Sequence, residues 1–439
     1  MARAKKKEVL SLEEKLEQAL VPVEEQPYEV PENWCWLSGK AIFKKQENQK
    51  PQGDIFRYID IESIDNENQV VFEPKEILVS KAPSRASRKL HIGDTIFSLV
   101  RPYLMNIAYI DEVLADCIAS TGFYVCTPCD MINGRYIYHL MRSPYVVNGL
   151  NIFMKGDNSP SIRKNDIENF LYPIPPIAEQ QRIVEQIESL FGKLDEVEEK
   201  ILKVKESCLA RKAAILSQAF NGKLTTMWRK KNDIGEDWIK KTFDEVAIIR
   251  SNLVEPKEYQ DFPHIAPDNI EKRTGRLLQY NTIAEDGVKS GKHRFYSGQI
   301  LYSKIRPYLS KVVMVNFDGL CSADMYPIEA KEDAKYLWYY MLSDEFLEQA
   351  STAGSRSVLP KINQKELAKL IVNIPSIEEQ EEIVKILDKL FVDEQRVVEY
   401  IQKVLEEIGI MKKAILAKAF RGELGTNNPD EEKAIELLK

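Results

Sequence analysis

Much that would mark an enzyme or a membrane protein is missing from this chain of 439 residues. No stretch approaches the about 18 consecutive apolar residues that a membrane span needs. The first residues are basic, Met1 to Lys7, but a charged helical pattern (Leu10-Ser-Leu-Glu-Glu-Lys) follows where a signal peptide would carry its apolar core. Six cysteines in so long a chain make no disulfide framework and point to a reducing, cytoplasmic setting. Four scattered histidines form no obvious triad. A phosphate-binding Gly-x4-Gly-Lys-Ser/Thr loop is absent, because Gly39-Lys40, Gly192-Lys193, Gly222-Lys223 and Gly291-Lys292 all lack the following hydroxyl. No glycine-rich cofactor loop follows a strand, and there is no Asn-Pro-Pro-aromatic run. A nuclease can be sketched from Asp268, Glu329 and Lys331, yet the first half of the chain has no such set. Cys126-Thr-Pro-Cys129 is half of a zinc site without a clear second pair, so no metal ligands are assigned.

What is present is length enough for two or more domains, with 44% hydrophobic residues and five tryptophans to fill their cores. The net charge of −7 is concentrated near the end, where residues 374–439 carry 10 basic against 15 acidic side chains. The remainder is close to neutral and holds local basic strips, which is compatible with nucleic acid because affinity follows the local field.

The main fact is an internal repeat. Ile174-Pro-Pro-Ile-Ala-Glu-Gln-Gln-Arg-Ile-Val returns as Ile374-Pro-Ser-Ile-Glu-Glu-Gln-Glu-Glu-Ile-Val, and the match runs without a gap to Ala219-Phe-Asn-Gly-Lys-Leu224 and Ala419-Phe-Arg-Gly-Glu-Leu424. Each copy reads as one long helix. Prolines open the first, Pro375 and a Ser376–Glu379 capping box open the second, and Gly222 and Gly422 stop them. Apolar positions alternate four and three apart at Ile183, Ile187, Leu190, Leu194, Val197, Ile201, Val204 and Cys208. The second helix repeats them at Ile383, Leu387, Leu390, Val397, Ile401, Val404 and Ile408, with Glu394 breaking the pattern. Such spacing predicts a coiled-coil seam rather than an ordinary amphipathic core helix, with the two helices pairing antiparallel. About 40 residues would make a rod of roughly 60 Å.

The intervening segments also repeat. Gly93-Asp-Thr-Ile-Phe-Ser-Leu-Val-Arg-Pro-Tyr-Leu104 matches Gly298-Gln-Ile-Leu-Tyr-Ser-Lys-Ile-Arg-Pro-Tyr-Leu309. Strands are expected at Gln69–Phe72, Thr95–Val100 and Lys311–Val315, and helices at Gly134–Arg142 and Ala334–Leu342. The fold class is therefore α+β, with two repeated α/β domains separated by two long helices. The expected order is an N-terminal helical arm (1–30), a domain (31–173), a helix (174–224), a second domain (225–373), a second helix (374–424) and a tail (425–439). Before the shared Gly-led strand lie basic loops, with Lys81, Arg85, Arg88 and Lys89 in the first domain and Lys289, Lys292 and Arg294 in the second. Interleaved with small residues, they suit contact with phosphates and base edges. Arg101, Lys304 and Arg306, and Lys155, Asn158 and Arg356 in two later loops, complete the candidate DNA-binding set. Solvated charge is the alternative for each loop, and for Arg101 and Arg306 the alternative is a structural arginine bonding strand-end carbonyls.

Two α/β domains, each followed by a helix opening Ile-Pro-x-Ile-x-Glu-Gln and closing Ala-Phe-x-Gly-x-Leu, resemble the specificity subunits of type I restriction-modification enzymes. The Pro27-Tyr-Glu-Val-Pro-Glu-Asn-Trp34 entry and the Gly425-Thr-Asn-Asn-Pro-Asp tail are also similar to that family. The resemblance covers essentially the whole chain. It implies two target-recognition domains, each reading half of a bipartite DNA target, joined by helices that the family conserves. It implies partners: two methyltransferase subunits, with S-adenosylmethionine bound there, and restriction subunits, with ATP and magnesium bound there. This chain itself would carry no cofactor and no catalytic residue. A coiled-coil scaffold that reads no DNA is the alternative function, and the nuclease a lesser one.

Overall fold

The computed structural model describes residues 21–235, 237–353 and 360–438. Most of the expected N-terminal arm (residues 1–20) and Arg356 lie outside the described residues. The chain divides into two compact units: unit 1 holds residues up to Lys200 together with those from Val404 onward, and unit 2 holds Ile201–Lys403. Both boundaries fall inside long helices, so each unit contains part of each.

Unit 1 is built on three small sheets and a two-residue antiparallel ladder between Ile64–Asp65 and Val70–Val71, the latter within the strand expected at Gln69–Phe72. Strand β1 (Cys35–Ser38) pairs antiparallel with β9 (Leu171–Ile174), closing the domain where the long helix begins. A four-stranded sheet has the order β3-β2-β7-β4, from β2 (Ile55–Ile59), β3 (Lys75–Leu78), β4 (Ala86–Lys89) and β7 (Ile118–Ser120); only β2 and β7 run parallel. The third has the order β8-β5-β6, from β5 (Thr95–Ser98), β6 (Ile107–Tyr109) and β8 (Phe123–Cys126). Strand β5 is β-branched and aromatic, and it is buried throughout. Helix α1 (Gly134–Met141) starts because the Asn133 side chain accepts the Arg135 and Tyr136 amides, and it buries Tyr136, Ile137, Leu140 and Met141. Helix α2 (Pro144–Asn151) is capped by Ser143.

Unit 2 repeats this plan. Strand β10 (Ile239–Thr242) pairs with β20 (Ile371–Ile374). One sheet has the order β11-β19-β16-β17, from β11 (Ala247–Ile249), β16 (Ile300–Ser303), β17 (Val312–Met314) and β19 (Met325–Ala330). The other has the order β12-β15-β18-β13-β14, from β12 (Leu253–Val254), β13 (Pro263–Ile265), β14 (Asn281–Thr282), β15 (Lys292–Phe295) and β18 (Gly319–Cys321). Again one pair, β13 with β18, is parallel. Two helices follow, Ala334–Met341 and Asp344–Ala353, the first capped by Asp333.

The long helices are Ile177–Phe220 and Ile377–Ala419. Ser376 accepts the Glu379 amide at 3.3 Å at the second start. Gly222 and Gly422, at φ 76° and 73°, take the left-handed turn after each end. In unit 1 the start of the first helix (Ile183, Val184, Ile187, Phe191) packs with the end of the second (Leu416, Ala419, Phe420). In unit 2 the end of the first (Leu216, Ala219, Phe220) packs with the start of the second (Ile383, Val384, Leu387). Start against end is antiparallel pairing. The same aromatic contact locks both: Tyr136–Phe420 and Tyr336–Phe220 rings sit 5.4 Å apart, edge to face.

The seam differs from the expected one at alternate positions. Val197, Val204 and Val397 are 44%, 48% and 41% exposed, and Leu190, Leu390 and Val404 are only half-buried. The inward row instead runs Ile187, Phe191, Leu194, Glu198, Ile201, Lys205, Cys208 in the first helix and Leu387, Phe391, Glu394, Val398, Ile401, Leu405, Ile408 in the second. The spacing of four and three is kept, with the alternate slots one residue later. Charged groups occupy some of those slots because they are paired. Within unit 1, Lys412 meets Asp195 at 2.7 Å and Glu198 at 2.9 Å. Within unit 2, the Lys212 ammonium donates to the Thr274 carbonyl at 2.7 Å and lies 4.9 Å from the Phe391 ring centre. Among the described residues no helix is long and apolar enough to cross a membrane.

Candidate nucleic-acid interface

The two basic runs are not simple loops. Arg88 and Lys89 stand on β4, and Lys292 and Arg294 on β15, which is a correction to the loop expected there. A bulge between Ala86 and Arg88 shifts the register of β4 against β7 and interrupts the alternation that would have marked a strand. Lys81 and Arg85 are exposed on the approach to β4, and Lys289 is exposed before β15.

Within each strand the side chains divide by partner. Arg88 donates to the Asn48 side chain at 2.9 Å, and its Nε is buried without a partner among the described residues. Lys89 forms an ion pair with Glu47 at 2.8 Å, which holds the Glu47 carboxyl below its usual range. Arg294 is half-buried among aromatic rings, its guanidinium carbon 4.9 Å from the Tyr296 ring centre and 5.4 Å from that of Tyr259. Stacking fixes the plane of a guanidinium while leaving its edge able to donate. Lys292 corrects the expectation outright. It is 8% exposed, its ammonium donates to the Ser290 hydroxyl at 2.7 Å, and burial lowers its pKa. Lys304 is likewise engaged, donating to the Ala323 carbonyl at 2.6 Å.

Arg101 and Arg306 are exposed and both lie just beyond the shared strand. Arg101 donates to the carbonyl of Asn158 at 2.8 Å, which ties it to the exposed loop carrying Lys155 and Asn158. The aromatic surround of Arg294 was invisible in the sequence, since Tyr259, Phe262 and Tyr296 share no spacing. Exposed Tyr103 and Tyr308 were also missed, although the Arg-Pro-Tyr-Leu repeat was a sufficient signal.

The residues of the sketched nuclease are engaged elsewhere. Glu329 pairs with Arg250 at 2.8 Å, the Lys331 ammonium donates to the Asp244 carbonyl, and Asp268 lies beside Lys311. Cys126 is buried, with its thiol pKa raised by burial. Among the described residues no group of three His, Cys, Asp or Glu could hold a metal ion.

Residues 35–206 and 235–407 each match the family described as "Type I restriction modification DNA specificity domain". The specificity subunit of the Escherichia coli type I restriction enzyme EcoDI is 38% identical over 336 residues, covering 70% of this chain and 74% of that protein. The EcoKI specificity subunit of Escherichia coli strain K12 is 25% identical over 330 residues, covering 70% of each. Among solved structures, one titled for complex assembly and conformational transition of the type I R-M system superposes with a TM-score of 0.72 at 26% identity, covering 91% of this chain and all of that one. The HsdS subunit from Thermoanaerobacter tengcongensis gives 0.51 at 26% identity, over 92% of this chain and all of that one.

Proposed function

The chain belongs to the type I restriction-modification DNA specificity family, and from that premise we propose which of its surfaces read DNA. It is a specificity subunit: it directs a type I restriction-modification enzyme to its DNA sequence and assembles with methyltransferase and restriction subunits. Catalysis lies in those partners and not in this chain.

We assign one half of a bipartite target to each unit, read by its basic strand and adjoining loops. In unit 1 the readers are Lys81, Arg85 and Arg88, with Lys155 and Asn158 beside them. In unit 2 they are Lys289 and Arg294. The observation that carries this assignment is that a basic strand, β4 or β15, pairs antiparallel in both units with the strand, β7 or β18, that runs parallel to β2 or β13. Each presents an arginine held by its neighbours but unpaired with any carboxylate among the described residues. S-adenosylmethionine then belongs to the methyltransferase subunits and ATP with magnesium to the restriction subunits, all acting in the cytoplasm where the DNA is.

Exchange of residues 31–173 for the equivalent segment of a relative tests the assignment. Methylome sequencing of a host expressing the hybrid with its methyltransferase is expected to show one half of the motif changed and the other kept. A change in both halves, or in neither, overturns it.

A further inference from the structure

We propose that the Arg-Pro-Tyr turn of each unit, Arg101–Tyr103 and Arg306–Tyr308, grips the DNA phosphodiester backbone without reading its sequence. The proposal rests on the DNA-reading assignment above and divides the labour within it.

Arg-Pro-Tyr-Leu is identical in two domains whose basic strands, Ala-Ser-Arg-Lys and Lys-His-Arg-Phe, are not. Its hydrogen-bonded frame is repeated as well. The Arg101 amide donates to the Pro160 carbonyl at 2.8 Å, and the Arg306 amide to that of Pro360 at 2.7 Å. The Leu104 and Leu309 amides close the turn on the Arg101 and Arg306 carbonyls, each at 2.9 Å. The Ser98 and Ser303 hydroxyls donate to the carbonyls of Val100 and Ile305, and Pro102 and Pro307 are buried.

Within this frame both arginines are left-handed, at φ 47° and 49°. Glycine would adopt that conformation without strain, so an arginine there costs stability in both units. Its side chain is what such a cost retains. That side chain is exposed in both units and has no carboxylate partner among the described residues, whereas nearby Lys89, Lys304 and Lys311 all lie near one. Two residues on, Tyr103 and Tyr308 are 46% and 48% exposed, and neither hydroxyl has a hydrogen-bond partner among the described residues. Arg101 gives one of its five N–H groups to the Asn158 carbonyl and keeps the others for a ligand. An exposed guanidinium without a carboxylate, two residues from an exposed phenol hydroxyl on a hydrogen-bonded turn, matches the acceptor oxygens of a phosphodiester. The same two side chains on the same backbone cannot discriminate two different half-targets. What both halves share is the phosphate backbone.

The test uses the complete complex of this chain with its methyltransferase subunits, and two duplexes of equal length, one carrying the methylated motif and one lacking it. Affinity is measured across a potassium chloride series. R101A and R306A are each expected to weaken both duplexes by the same factor, on the order of tenfold. Each should lower the slope of log affinity against log salt by about 0.9, with the methylation motif unchanged. Y103F and Y308F should lower both affinities together by a smaller factor. R101G, which relieves the backbone and removes the guanidinium, should bind like R101A while melting at a higher temperature. Loss confined to the motif duplex, or relaxation of one motif position, would mark a base contact and overturn the proposal. Intact DNA affinity with loss of a methyltransferase subunit from the complex would mark a protein-docking turn and overturn it equally. R294A is the control: it should relax the motif. If R294A and the 31–173 exchange both leave the motif intact, the failure belongs to the reading assignment and not to the turn.

Discussion

Removing the Glu379 carboxylate strands a cation. Arg229 is 5% exposed and Glu379 1%, and the guanidinium donates to Glu379, to the Thr225 hydroxyl and to the Gly222 carbonyl. The Trp238 indole donates to the other carboxylate oxygen at 3.1 Å. In unit 1 the equivalent Glu179 accepts from the Trp34 indole at 2.8 Å, and among the described residues no arginine is bonded to it; burial raises its pKa above the usual carboxylate range. Glu379→Ala is therefore expected to cost about 3–5 kcal/mol, the penalty for breaking a buried pair from one side. Glu179→Ala should cost about 1–3 kcal/mol, that of an unmade buried hydrogen bond. Denaturant unfolding of the two variants checks the ranking, and equal losses would contradict it. The glutamates were legible as repeated residues, and Trp34 and Trp238 stand in similar short runs, Pro31-Glu-Asn-Trp34 and Gly235-Glu-Asp-Trp238. Their bonding was not, because Trp34 and Glu179 are 145 positions apart and only the folded domain joins them.

At the scale of the helix, the heptad spacing was plain in the sequence while its phase was not. Leu390 and Phe391, Val397 and Val398, and Val404 and Leu405 are adjacent apolar pairs, so hydrophobicity alone allows either row to face inward. In the first helix the same criterion favoured Val197 over Glu198 and Val204 over Lys205. It cannot register that Glu198 is met by Lys412 in unit 1. Phe191→Ala should therefore cost about 3–5 kcal/mol, as for a truncated core aromatic, whereas Val197→Ala should stay within about 0.5 kcal/mol. Thermal melts decide it, and a larger loss at Val197 would restore the other phase. The basic strands were read as loops for a related reason. A bulge breaks β4, and β15 alternates between a buried lysine, a buried histidine and a stacked arginine rather than between apolar and polar residues.

The whole molecule is two similar units, and that much followed from the repeat. Leu216, Ala219 and Phe220 do in unit 2 what the identical Leu416, Ala419 and Phe420 do in unit 1. A fragment of residues 1–224 is accordingly expected to dimerise, each copy lending the end of its helix to the other. With the methyltransferase it should then modify a palindromic form of the first half-target. Analytical ultracentrifugation tests this, and a folded fragment that stays monomeric throughout the micromolar range would show that each helix accepts only its natural partner. The interleaving of the units also dictates an order of events on the ribosome. Unit 2 is one continuous stretch of chain, Ile201–Lys403. Unit 1 is begun first and finished last, since Leu416, Ala419 and Phe420 emerge only after all of unit 2 has been synthesised. Until then Tyr136 and its neighbours have an uncovered apolar face, and a nascent chain that has emerged from the ribosome only as far as Lys403 would carry a complete second domain and an open first one.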